Sequence, residues 1–264
     1  MIRFSKKKTS FISLFLFLIS INAFFACSPH LYRNTEIKGK NISVSDTLAP
    51  DLSIDKFVAP YKKHIDEDLS KVLSHSPITM DKSKGKWETI IGNLFAEATV
   101  EIVNPVFQKR YQKNIDGCML NHGGIRSVIS EGDVTTRAAF EVMPFENEAV
   151  VLELKGEQII ELANYMLANK KPHPLAGIFI HIDAKTQQLK NVYINGKIVS
   201  PEKTYLIVTN DYLAQGGDSM VFFTKAVRTY TMDYKLRNVL IEYFKKHPEL
   251  PVITTQHIIE EGNE

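Results

Sequence analysis

The chain has 264 residues, 44% of them hydrophobic and 23% charged, with a formal charge of +2 and two cysteines. Four of its basic residues (Arg3, Lys6, Lys7, Lys8) lie in the first 26 positions, where there is no acidic residue, so the remainder holds 28 basic against 30 acidic side chains. That balance argues against a nucleic-acid polymer as partner, which needs a basic face, and a lone Cys118 beyond the first segment rules out an intramolecular disulfide there.

The N-terminus reads as an export segment. A basic start is followed by the apolar run Phe11 to Ala26 and then by Cys27, the pattern of a bacterial lipoprotein signal peptide cut between Ala26 and Cys27. Residues 1–26 are therefore expected to be removed, and Cys27 to carry the lipid that holds the protein on a membrane. Residues 27–54 are polar and aperiodic and read as a tether, and residues 55–264 as the folded domain. The expected location is the bacterial cell envelope, lipid-anchored and facing the periplasm.

Phe57, Tyr61, Ile65, Leu69 and Val72 recur at helical spacing, with Pro60 placed in the first turn. Ile90, Ile91, Leu94, Phe95, Ala98 and Ile102 mark a second helix, and Gly92 within it signals close packing or a nearby ligand. Ile115 to Leu120 reads as a strand that holds Cys118 as a packed apolar residue. It runs into Asn121-His122-Gly123-Gly124-Ile125-Arg126, where two glycines allow positive φ and close backbone approach, and Arg126 offers a fork of donors.

Thr135 and Thr136 can cap a short helix that Met143-Pro144-Phe145 breaks. Ala149 to Leu154 is a predicted strand, Glu157 to Ala168 a helix, and Ile178 to Ile182 a strand. Asn195-Gly196 between Leu189–Ile194 and Lys197–Val199 is a hairpin signal. Tyr205 to Thr209 is a strand that empties into a loop ending Gly216-Gly217-Asp218, and Tyr234 to Phe244 is a closing helix. Interspersed helices and strands with one β-hairpin predict an α+β fold, a mixed sheet with flanking helices.

Three bent loops, Asn121 to Arg126, Pro144 to Asn147 and Asp211 to Asp218, carry two aromatics, an amide, a carboxylate and an arginine. These are the parts a nucleoside site requires: rings for the base, an amide for its edge, a carboxylate for ribose hydroxyls and a cation for phosphate. His122 reads as a loop or pocket-wall residue, and the other histidines as scattered and solvated.

The order of motifs is specific. Ile-Gly-Asn-Leu-Phe-Ala-Glu-Ala (91 to 98), Asn-His-Gly-Gly-Ile-Arg (121 to 126), Gly-Asp-Val-Thr (132 to 135), Pro-Phe-Glu-Asn (144 to 147) and Gly-Gly-Asp (216 to 218) give the chain from about Phe57 to Phe244 its resemblance to the C-terminal, substrate-binding domain of the 5′-nucleotidase family. The resemblance implies that Phe145 and Tyr212 sandwich the base, Asn147 contacts it, Asp218 holds the ribose and Arg126 the phosphate or sugar side, with Asn121, Gly123 and Gly124 completing the site. Two departures leave loop conformation open, because the family usually has glycine where Glu146 and Ser219 stand. Arginines found before the second helix in some members have no counterpart, and Lys82, Lys84 or Lys86 is expected to substitute.

Full-length members carry an N-terminal metallophosphatase domain with a metal pair. This sequence has no Asp-x-His or His-x-His motif, and too few residues before Phe57 for that domain. No catalytic residue, metal ligand or cofactor is expected in this chain. The expected partners are a small nucleotide or nucleoside, a separate metallophosphatase chain and, through Cys27, a membrane. The expectation is the binding half of a split 5′-nucleotidase; a stand-alone nucleoside- or nucleotide-binding lipoprotein is the alternative.

Overall fold

The computed structural model describes residues 11, 13–18, 33–45 and 47–262; Cys27 and the expected cleavage point lie outside them. The chain divides into two units, residues 1–52 and 53–264. In the first, residues 13–18 are helical and 33–45 have no regular structure.

Helix α1 (Leu52–Leu69) starts at the boundary, five residues earlier than the apolar spacing suggests, so Pro60 falls in its interior instead of its first turn. None of its residues is buried. The ion pair Arg137–Asp66, at 2.8 Å, ties it to the domain. Val72, assigned by its spacing to this helix, instead opens strand β1 (Val72–Ser76).

The remaining elements follow in order: α2 (Ile90–Tyr111), β2 (Gly117–Met119), β3 (Gly132–Thr135), α3 (Thr136–Val142), β4 (Glu148–Lys155), α4 (Gly156–Asn169), β5 (Leu175–Ala176), β6 (Ile178–Asp183), β7 (Leu189–Ile194), β8 (Lys197–Ile198), β9 (Thr204–Asn210), α5 (Asp211–Ala214), β10 (Arg228–Lys235), α6 (Leu236–Lys246) and β11 (Ile258–Glu261). The central sheet has the order β10-β4-β9-β2-β5. Its β2–β9 pair is parallel and its other pairs antiparallel. A second sheet, β11-β6-β7-β8, has a parallel β11–β6 pair, and β1 pairs with β3 alone. The architecture is α+β with mixed sheets.

Side chains on a strand alternate between faces, and that alternation divides the core. From β4, Ala149 and Val151 join one apolar cluster with Cys118 and Val208, packed under α2 and α6 through Phe95, Phe107, Tyr243 and Phe244. Val150, Leu152 and Leu154 join the other, with Met119 and Ile207, against α4 and the second sheet through Ile159, Leu162, Ile180 and Ile194. A sheet covered on both faces reads as a nearly continuous apolar run rather than a polar alternation. Burial pushes the Cys118 thiol well up, so it packs as a neutral apolar group.

Local signals account for the finer joints. Asn195 and Gly196 both take positive φ, 53° and 70°, which is what a two-residue hairpin between β7 and β8 needs. Gly92 sits where a Cβ would lie 2.8 Å from Thr89 Oγ1 and 3.7 Å from Pro174, so its role is close packing. Its neighbour Asn93 donates from the side chain to the carbonyls of Ile253 and Thr255, pinning the C-terminal segment. The closing helix starts at Leu236, two residues later than the sequence suggests, because Tyr234 and Lys235 finish β10.

Candidate functional site

Topology brings the three loops together. Strands β2 and β9 are parallel neighbours, with Cys118 opposite Val208, so both end at the same edge of the sheet. Strand β4 runs antiparallel to β9, with Ala149 opposite Asn210, so its beginning lies at that edge. The loops that leave β2, enter β4 and leave β9 therefore converge. Asn121, Gly123, Gly124, Arg126, Phe145, Asn147, Tyr212 and Asp218 all line one cavity of about 420 Å³ there.

Asp218 is held from two sides. Asn121, buried at 8% exposure, donates from Nδ2 to Asp218 Oδ2 at 2.8 Å. The Tyr212 hydroxyl donates to Oδ1 at 2.9 Å and accepts from the Asp218 backbone N–H at 3.0 Å. Each carboxylate oxygen keeps a lone pair for a ligand, since an ionised carboxylate accepts about four bonds in all. The Tyr212 ring lies against the backbone of Gly217, where a Cβ would come within 2.5 Å of its Cε1 and Cζ. Gly217 is glycine for that closeness.

The first pair of glycines works differently from the sequence expectation. Neither Gly123 nor Gly124 takes a positive φ. They form a tight turn, residues His122–Gly124, in which the Gly124 N–H donates to the Asn121 carbonyl at 3.0 Å. A Cβ on Gly124 would sit 2.9 Å from the Asn121 side-chain oxygen, so glycine makes room for the amide that holds Asp218. Positive φ appears in the third loop instead, at Gly216, Asp218 and Ser219. Ser219 at 63° explains why glycine suits that position.

Phe145 and Tyr212 are both partly open to solvent, 42% and 46% exposed, at the cavity. Asn147 donates from Nδ2 to Asp211 Oδ1 at 3.0 Å, which leaves its carbonyl as the acceptor for a ligand. The same Asp211 oxygen accepts from the N–H groups of Glu148 and Tyr212. Asp211 thus joins the loop before β4 to the loop after β9, a role that sequence reading missed. An acidic residue opening a short helix was the available signal, and its partner 64 positions away was not. Glu146 stands where glycine is usual and is fixed by ion pairs to Lys235 and Arg237, which hold its carboxyl down at about 2.

The Arg126 guanidinium lies 5.9 Å from the Phe145 ring centre, and its Nη1 approaches the Gly123 carbonyl at 3.5 Å. Of the three candidate lysines, Lys82 stands beside it, donating to the Ile125 carbonyl. Partial burial and then the Arg126 charge lower the Lys82 pKa. Lys86 points elsewhere, paired with Glu260 and 5.3 Å from the Trp87 ring.

His122 lies next to the cavity wall, half-buried. Two other histidines correct the expectation of solvated rings: His173 is 2% exposed and His257 fully buried. Burial lowers each to about 4, so both are neutral at pH 7. Among the described residues no group of three or more His, Cys, Asp or Glu side chains could hold a metal ion.

The family profile of the 5′-nucleotidase C-terminal domain matches residues 70–225. Protein UshA of Yersinia enterocolitica is 27% identical over 221 residues, 80% of this chain and 38% of that protein. A 5′-nucleotidase of Vibrio vulnificus is 22% identical over 84% of this chain and 40% of its own length. The structure of a 5′-nucleotidase precursor from Thermus thermophilus superposes with a TM-score of 0.65 at 20% identity, covering 82% of this chain and 44% of that one. The chain spans less than half the length of these relatives.

Proposed function

Since this chain belongs to the 5′-nucleotidase C-terminal-domain family, we propose that it is the nucleotide-binding half of a split 5′-nucleotidase-type hydrolase, acting in nucleotide catabolism beside a separate metallophosphatase chain. The observation that carries the reading is the single cavity in which two exposed rings, an amide, a braced carboxylate and an arginine meet. In this reading Phe145 and Tyr212 stack on the base, and the Asn147 carbonyl accepts from its edge. Asp218 accepts from the ribose hydroxyls. Arg126 and Lys82 face the phosphate: two adjacent cations repel one another, and an anion between them removes that cost. Arg126 brings a planar fork and Lys82 a point charge, so the pair gives less geometric selection than two arginines would.

Bond breaking is assigned to the partner. A metal pair there would supply the attacking water and clamp the leaving oxygen, while the residues named above hold the nucleotide and leave its phosphate presented. A lipid on Cys27 would keep the reaction at a membrane of the cell envelope. The test mixes the purified chain with a metallophosphatase protein encoded beside it and follows phosphate release from AMP. Turnover well above that of the partner alone is expected; equal turnover refutes the split-enzyme reading. A binding cavity complete in itself favours the stand-alone binding protein as the second reading. Adenosine titration that shows binding, with no gain in turnover on mixing, selects it.

A further inference from the structure

Helix α1 carries an apolar stripe that the domain leaves uncovered. Phe57, Val58, Tyr61 and Ile65 fall within about 100° of arc on a helix of 3.6 residues per turn, and they are 70%, 39%, 62% and 54% exposed. The Phe57 and Tyr61 rings touch, with centres 5.9 Å apart. A contiguous exposed apolar patch marks an interaction surface. The helix ends at Leu69, directly before the family match begins at residue 70, so it stands outside the matched domain, at its N-terminal junction.

The end of α1 is fixed close to the cavity. Asp66 pairs with Arg137, and the Thr136 N–H donates to the Lys71 carbonyl at 3.0 Å; Thr136 and Arg137 are the first two residues of α3. At the other end of α3, the Val142 carbonyl accepts from the Arg126 N–H at 2.9 Å, and Pro144 and Phe145 follow. A helix of 7 residues, about 10 Å long at 1.5 Å per residue, therefore separates the fixed end of α1 from the arginine and one ring of the binding cavity.

Chain length and charge select the occupant. The family match is to a C-terminal domain, and this chain spans only 38% and 40% of two relatives, so in them a longer stretch of polypeptide precedes the domain and joins it at the end where α1 stands. A lipid surface fits less well. Interfacial helices carry a polar face rich in lysine and arginine, whereas α1 sets Lys56, Lys62 and Lys63 against Asp55, Asp66, Glu67 and Asp68. Resting on the split-enzyme reading, we propose that the stripe of Phe57, Val58, Tyr61 and Ile65 is the seat of the separate metallophosphatase chain, held one short helix away from Arg126. The two exposed rings are the anchors, since aromatic side chains carry much of the energy of an interface. Arg126 and Phe145 stay free for the nucleotide.

The experiment measures, by calorimetry, binding of the metallophosphatase protein encoded beside this chain to three forms of the full chain: wild type, the double variant Phe57→Ser with Tyr61→Ser, and Lys63→Ser on the opposite face of the helix. The double variant should bind about thirtyfold more weakly, and Lys63→Ser within about twofold of wild type. No residue of α1 is buried, so the thermal midpoint and adenosine affinity of the double variant should match wild type. Equal partner affinity in the double variant and wild type overturns the proposal and leaves the split-enzyme reading standing. No binding by wild type refutes that reading, and the proposal with it. A lower midpoint or weaker adenosine binding in the double variant would assign the stripe to the domain's own packing. Self-association, or binding to phosphatidylglycerol vesicles, that the double variant loses while its partner affinity is unchanged would give the stripe to a second copy or to lipid. Either result overturns the proposal.

Discussion

Gly217→Ala tests how the site is built. Gly217 does not use a positive φ, so alanine fits the backbone, and the substitution acts through its methyl group alone. That carbon would lie 2.5 Å from Tyr212 Cε1 and Cζ and 2.7 Å from Cδ1, and ordinary contact begins near 3.4 Å, so the ring must retreat by about 1 Å. Retreat breaks both hydrogen bonds between the Tyr212 hydroxyl and Asp218, which now measure 2.9 and 3.0 Å, and moves the ring off the base. The ring and Asp218 are both solvent-exposed, so folding stability should fall by only about 1 kcal/mol. Stacking on one ring is worth about 1–3 kcal/mol, so adenosine affinity should fall roughly five- to hundredfold. Calorimetric titration with adenosine, alongside thermal unfolding, reads both effects. The decisive control is the same substitution in a Tyr212→Ala background, where nothing remains to clash and no further loss is expected. Equal losses in both backgrounds, or wild-type affinity in the single variant, would refute the mechanism.

Three more outcomes can be measured. Lys82→Met should weaken AMP binding about tenfold and leave adenosine binding unchanged, as titration of both ligands would reveal; equal losses for the two would place Lys82 away from the phosphate. His173 and His257, each lowered to about 4 from 6.5 by burial, stay neutral in the fold but take up a proton when unfolded. Their contribution is present in full above pH 6.5 and is lost as pH falls toward 4, by about 3 kcal/mol per ring. Urea midpoints that hold constant from pH 7.5 to 4.5 would contradict this. Cys27→Ser should abolish incorporation of labelled palmitate and release the protein from the membrane fraction; unchanged labelling would refute the signal-peptide reading.

Much of the secondary structure was legible because it is encoded locally. The helix periodicity in α2 and α4, the apolar run of β4 and the Asn195-Gly196 turn each lie within one short window, and the chain follows them. Elements that depend on a distant partner were harder to read. Strands β1 and β3 are short and pair 56 or more positions apart in the chain, and β1 also bonds through His75 to the segment at Pro248 and Leu250. Strand β10 does alternate, with Tyr230 and Met232 pointing inward, but its polar outward residues resemble a loop until β4 is beside it. Helix α1 shows the opposite limit: a good amphipathic pattern does not ensure burial.

The sequence alone specified the residue types at the site and the loops that carry them, since glycine, proline and a strand end mark a bend without knowledge of the rest. Only the tertiary structure decided that these loops form one site. Residues 121–126, 144–147 and 211–218 meet because β2 and β9 pair in parallel and β4 pairs antiparallel with β9, choices made by long-range packing of two apolar cores. The same packing put Lys82 beside Arg126, placed Asp211 between two loops, and buried His173 and His257. Each of these depends on a neighbour far away in the chain, and no local pattern encodes which neighbour that will be.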